Sequence, residues 1–257
     1  TTFETRLSAW IMFAEGVIEH SAHLDIAKAK DRVIRAHLVG QVANDPTLAG
    51  TSAAWLAFFC FQQSKYLEAK EYMEKAFSWT KNEDREGRAR ACMVMGMGFL
   101  YSGETNKGKA WMQLARDNAV KSGDIAMQNI IFYNSSAYQT AQLTLLDCTT
   151  GVSPDEIKFA LMSAQSASNF NTALGIANQI SMLPIQRAEL LTIEKKWQEA
   201  ADIFDKFIDK AKVDGQSAVV PKYIAQRAWC RANLGDSIAS KLDIAQANAL
   251  SGQCPDP

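Results

Sequence analysis

Three histidines, five cysteines and a scatter of carboxylates are what this 257-residue chain offers for acid–base, nucleophilic or metal chemistry. His20 and His23 stand three apart, which on a helix puts both imidazoles on one face, with Glu19 and Asp25 close by. Such a pair can begin a zinc site, but no dedicated third ligand accompanies it, so a solvated helix end is expected and no metal. Nucleophile elbows, phosphate loops and the H-E-x-x-H zinc pattern are all missing from the sequence. Gly96-x-Gly98 falls inside an apolar helical stretch and reads as close packing, not as a nucleotide fingerprint. Neither catalysis nor a cofactor is expected.

The cysteines stand at 60, 92, 148, 230 and 254 with no C-x-x-C pair. Cys60, Cys92 and Cys230 lie in apolar helical segments, where a reduced thiol behaves as a small hydrophobe. That usage points to a reducing, cytoplasmic setting. Charge excludes other classes of partner. Basic and acidic residues number 27 and 28, a net charge of −1, and no block of one sign stands out. Direct nucleic-acid binding and attachment to an anionic membrane therefore lack an electrostatic footprint. The longest apolar run, Ala53 to Phe61, is far short of the ~20 residues that a membrane helix needs. The chain opens with neither an initiator Met nor the basic-then-apolar order of a signal peptide. Residues 1–257 are read as a single domain excised from a larger protein, with room for an attached effector.

The elements that would position a site are helical throughout. Apolar spacing predicts helices near 3–20, 24–42, 51–63, 65–80, 85–102, 104–121, 124–146, 154–168, 172–194, 196–213, 217–234 and 236–249. Asn44-Asp45-Pro46, Ser102-Gly103, Ser122-Gly123, Asp214-Gly215 and Gly235-Asp236 punctuate the gaps. Ser153-Pro154-Asp155-Glu156 is a strong start signal: a capping hydroxyl, a proline suited to the first turn, and acids at the positive end of the dipole. Pro184, inside the predicted 172–194 helix, should bend it or split it near Leu183.

A small-x3-apolar-x2-small stripe returns on the second helix of each pair. Its copies are Ala29/Val33/Ala36, Ala69/Met73/Ala76, Gly108/Met112/Ala115, Ala160/Ala164/Ala167, Ala200/Phe204/Phe207 and Ser240/Ile244/Ala247. The recurrence is roughly every 40 residues, a period that marks stacked helical hairpins. One interval is longer, and Leu143 to Val152 supplies the excess, read as a surface insertion.

The first helices complete a resemblance. Cys92-x2-Met95-Gly96-x2-Phe99 followed by Gly108-x3-Met112-x2-Ala115 resembles the tetratricopeptide repeat. Ala53, Leu56, Ala57 and Cys60 with Tyr66, Ala69, Met73 and Ala76 fit nearly as well. The fit decays toward the C-terminus, where Arg227 and Arg231 put charge at apolar positions and Pro184 departs from the pattern. The resemblance implies an all-α, right-handed α-solenoid of about six antiparallel hairpins, of the longer degenerate kind found in bacterial sensors and regulators. It also implies a concave wall built from first helices. Off-stripe residues there are the candidate groove: Arg90, Met97, Tyr101, Asn129, Tyr133, Ser136, Gln139, Gln186, Glu189, Gln226 and Trp229. Trp55 and Phe58 read either as groove or as core. A chaperone-tail clamp is disfavoured, since only Arg90 among the matching positions has suitable chemistry.

The expected function is a protein- or peptide-binding scaffold in a bacterial signalling or regulatory protein, with groove aromatics burying one face of the partner. The alternative is a sensor whose small-molecule or peptide ligand controls an attached output domain. A third reading, a homodimer, rests on the apolar segment near Phe58 and Phe61 and on Trp229.

Overall fold

The computed structural model describes residues 2–23, 25–81, 84–175, 181–213 and 219–251, apart from the side chains of 21–23 and 213. Asp214, Gly215, Cys254 and the His23 side chain thus lie outside what is described. The described residues form twelve α-helices and no strand. They are α1 (Phe3–His23), α2 (Ile26–Val42), α3 (Pro46–Gln62), α4 (Tyr66–Trp79), α5 (Arg85–Tyr101), α6 (Thr105–Ser122), α7 (Ile125–Asp147), α8 (Pro154–Leu174), α9 (Met182–Ile193), α10 (Trp197–Val213), α11 (Val220–Asn233) and α12 (Ser237–Ser251). None is long and apolar enough to cross a membrane.

The chain divides into two compact units, Thr1–Ile131 and Phe132–Asp256, with the division inside α7. In the first, α1 packs on α2, α3 on α4 and α5 on α6, and the first helices α3 and α5 touch one another. In the second, α9 packs on α10 and α11 on α12, and α9 meets α11 in the same way. Contact between first helices of successive pairs is the signature of stacked hairpins.

The small-residue stripe is the buried face. Ala29, Val33, Ala36, Ala76, Ala115, Ala200 and Phe204 are all fully buried. The physical reason shows best at Gly108. A Cβ there would sit 2.5 Å from the Leu100 side chain and 2.9 Å from its backbone nitrogen, so only glycine lets α5 and α6 approach this closely. Two stripe positions depart from expectation, the first being Phe207, which is only partly buried beside the buried Ile208. Ile244 is half exposed, whereas its neighbour Asp243 is buried. The last hairpin turns a carboxylate inward because α11 brings two arginines to that crossing.

Helix ends follow local chemistry. Asp45 caps α3 through the Leu48 amide, with Pro46 in the first turn, so α3 begins earlier than the predicted 51. Ser153 and Glu156 form a complete capping box at α8. The predicted 172–194 helix is two elements: α8 ends against Gly175 in the left-handed region, and α9 begins at Met182. Pro184 therefore occupies a first turn, where its missing N–H has no helical partner to lose. Much of the expected insertion is helix, since α7 runs to Asp147 before the turn at Gly151.

Candidate functional site

A cavity of 860 Å³ lies between α4 and α5. Its floor is Met73 and Phe77 from α4 with Val94, Met95 and Phe99 from α5, and Phe61, Tyr66 and Tyr101 close one end. Phe61 stands edge-on to Tyr66 with ring centres 5.9 Å apart, and its ring centre lies 5.8 Å from that of Tyr101. Lys70 and Glu74, an exposed pair 3.9 Å apart, and Ser102 supply the polar rim. Tyr66 and Tyr101 are more than half exposed. An apolar floor with few polar groups suits burial of apolar side chains or a small apolar ligand.

Gly98 keeps the floor open. A Cβ at Gly98 would meet nothing within 4 Å, whereas one at Gly96, a half-turn earlier, would press on Met112 at 2.9 Å. A glycine in a helix interior costs about 1 kcal/mol relative to alanine. Packing between α5 and α6 explains Gly96; at Gly98 the missing side chain preserves cavity volume.

Of the sequence-predicted groove residues, only Tyr101 lines this cavity. Met97 and Gln139 are half-buried. Arg90 and Asn129 are buried, Arg90 over the Trp55 ring at 4.0 Å. Trp55 and Phe59 form a core with Ala29, Val33 and Leu56, against which Phe13, Val17 and Phe58 pack. Trp55 is therefore core under the N-terminal hairpin, with Phe58 at its edge. His20 belongs to the same layer. Its ring centre lies 5.1 Å from Phe59, and Nε2 donates to Gln62 Oε1 at 2.9 Å. Desolvation, reinforced by the charge of Arg90, pulls the His20 pKa below its usual value. The expected solvated helix end is replaced by an imidazole among aromatic rings.

In Phe132–Asp256 the predicted residues meet as a polar cluster. Ser136 Oγ donates to Gln186 Oε1 at 2.9 Å, and Gln226 Nε2 to Glu189 Oε1 at 3.2 Å. Lys222 completes the Glu189 pair. Ser136, Gln186 and Glu189 are buried, so this cluster ties α7, α9 and α11 together. Tyr133 packs against the neighbouring core, and Trp229 is 60% exposed.

Arg227 and Arg231 hold a second cluster. Arg227 grips both carboxylate oxygens of Asp243 at 3.0 and 2.7 Å and reaches Asp205 at 2.9 Å. Arg231 bridges the same two acids at 2.9 and 2.8 Å. The charges at apolar repeat positions are thus a network joining α10, α11 and α12. Three thiols are inert for the same reason, enclosure. Cys60, Cys92 and Cys230 are buried and free, and burial pushes Cys92 up to about 11.

The fold has a solved counterpart. BtubC (BKLC) from P. vanneervenii has a crystal structure similar to this chain over 91% of its length and 94% of the BtubC chain, with a TM-score of 0.62 and 14% identity. At that identity the likeness to BtubC is one of fold alone. No family model matches the chain, and no curated protein matches it in sequence.

Proposed function

We propose that this chain is a peptide-binding module whose α4–α5 cavity takes the apolar side chains of a partner segment. The observation that carries the reading is Gly98, which gives up helix stability in a place where packing asks nothing of it and the cavity gains the space. Tyr66, Tyr101 and Phe61 would clamp the inserted group, and Lys70 and Glu74 would meet the partner's polar backbone or flanks. The roughly 40-residue repeat supports a tetratricopeptide-like identity, and buried, reduced cysteines suit a cytoplasmic regulatory protein. Binding rather than catalysis fits the side chains too. The buried thiols are held protonated, and His20 and His37 are each engaged, His37 with the Ala49 carbonyl at 2.9 Å.

The decisive variant is Gly98→Leu, which fills the floor. Peptides selected by display against the full chain should bind it at least about ten-fold more weakly, a loss near 1.4 kcal/mol. The variant's melting temperature should hold or rise, because a glycine leaves a helix interior. Equal affinity for Gly98→Leu would move the peptide site elsewhere. A second reading keeps the same cavity: 860 Å³ also falls in the range of small-molecule sites. That sensor reading gains if apolar compounds raise the melting temperature of the natural chain, Gly98→Leu abolishes the shift, and display yields no peptide.

A further inference from the structure

We propose that Arg90 anchors a second binding site, outside the α4–α5 cavity, and that its ligand is a carboxylate. Arg90 is 8% exposed, with its guanidinium carbon 4.0 Å from the Trp55 ring centre and 5.9 Å from that of Phe58. Among the described residues it makes no hydrogen bond and no ion pair. That is unusual company for a buried cation, because five N–H donors are left without an acceptor. Asp124 is the acid whose field reaches it, but the Asp124 carboxylate is engaged at 2.8 Å capping the Met127 amide. By contrast Ser52 Oγ and Thr51 Oγ1 are orphans sealed from solvent, and the Arg90 nitrogens are not among such sealed atoms. The guanidinium nitrogens therefore keep a narrow contact with solvent, the route by which a ligand would reach them.

The charge at this place selects the ligand. Burial lowers the Arg90 pKa to about 10, so the group remains a cation at neutral pH. His20, its titratable neighbour, has its pKa lowered and adds no positive charge there. One isolated positive charge matches a monoanion better than a phosphate dianion. The guanidinium carbon lies over the Trp55 ring, and the in-plane N–H donors are where a carboxylate would make two parallel hydrogen bonds. The carboxylate can come from a small organic acid or from an acidic side chain of a peptide, and the chemistry at Arg90 is the same. This site stands whether or not the α4–α5 cavity takes a peptide.

The test follows the Arg90 Nε–Hε signal by NMR in the 257-residue chain, assigned by its loss in Arg90→Met. Titrated benzoate should shift that signal saturably with a millimolar or tighter Kd, and uncharged benzamide should act at least about ten-fold more weakly. N-acetyl-glutamate amide is the second arm. A matching shift assigns the site to peptide acids, and a response to benzoate alone assigns it to small acids. No saturable shift with either, or tighter binding of inorganic phosphate than of benzoate, overturns the proposal. Stability gives an independent readout. Arg90→Met should melt at the same or a higher temperature without added anion, because an unpaired buried cation is removed. A clear fall would make the Trp55 contact structural and also sink the idea.

Discussion

Both compact units wedge arginine between helices, and they neutralise it in opposite ways. In Thr1–Ile131, Arg90 lies over Trp55 beside Phe58, with no carboxylate bonded to it. In Phe132–Asp256, Arg227 and Arg231 share Asp243 and Asp205 through five hydrogen bonds. Arg227 and Arg231 are both satisfied within the fold, so their role ends there. Arg90 is satisfied by nothing described, and its stabilisation has to come from the ring face and from whatever reaches its edge. A saturated charge network is architecture, and an unsaturated one is a place for a ligand.

The contrast is sharpest at Asp243, which is 3% exposed. Asp243→Asn leaves two arginines facing a neutral amide, and removal of one partner from a buried network costs about 3 kcal/mol. Urea unfolding should show that loss, whereas Arg90→Met shows none. A loss under about 1 kcal/mol would erase the distinction between the two units. Combining Asp243→Leu with Arg227→Met and Arg231→Met should recover most of the stability, because an apolar crossing replaces the charges together. Asp205 sits at the exposed edge of the same network, 47% accessible, and Asp205→Asn should cost less than about 1 kcal/mol.

The same contrast explains how far the sequence could be read. The stripe Ala29/Val33/Ala36 and its five copies mark the buried face of the second helices at all but Phe207 and Ile244, since small residues at a crossing are a local requirement with a fixed spacing. Tertiary choice is where local reading stopped. Asp243, not Ile244, turned inward because Arg227 and Arg231 wait on another helix, a pairing that no local pattern encodes. The cavity was missed for a related reason. Tyr66, Ala69 and Met73 fit the repeat as crossing residues, and nothing in that pattern marks the continuation of their face through Lys70 and Phe77 as the wall of a cavity. The signal was present at Gly98, a mid-helix glycine off the crossing stripe. Reading first helices as one wall singles out Arg90, Ser136, Gln186, Glu189 and Gln226, but Ser136 is bonded to Gln186 and Gln226 to Glu189, pairings across helices that no local spacing encodes.

Mild acid should separate the two units by a smaller margin. All three histidines precede residue 132. His20 and His37 both have pKa values lowered chiefly by burial. Above the unfolded value of about 6.5 both states are neutral and stability is intact. As pH falls below it, the unfolded chain takes up protons that the folded chain resists, so stability declines until the lower folded values are passed. Asp84, whose pKa burial raises, acts in the opposite direction only at lower pH, near the carboxylate range. Hydrogen-exchange protection factors between pH 7 and 5.5 should therefore drop for helices of Thr1–Ile131 and hold for those of Phe132–Asp256. Arg90→Met should shrink the drop, since the cation that opposes His20 protonation is gone. An equal decline in both units would detach acid sensitivity from the aromatic layer around Arg90, and an unchanged slope in Arg90→Met would show that desolvation alone sets the His20 pKa.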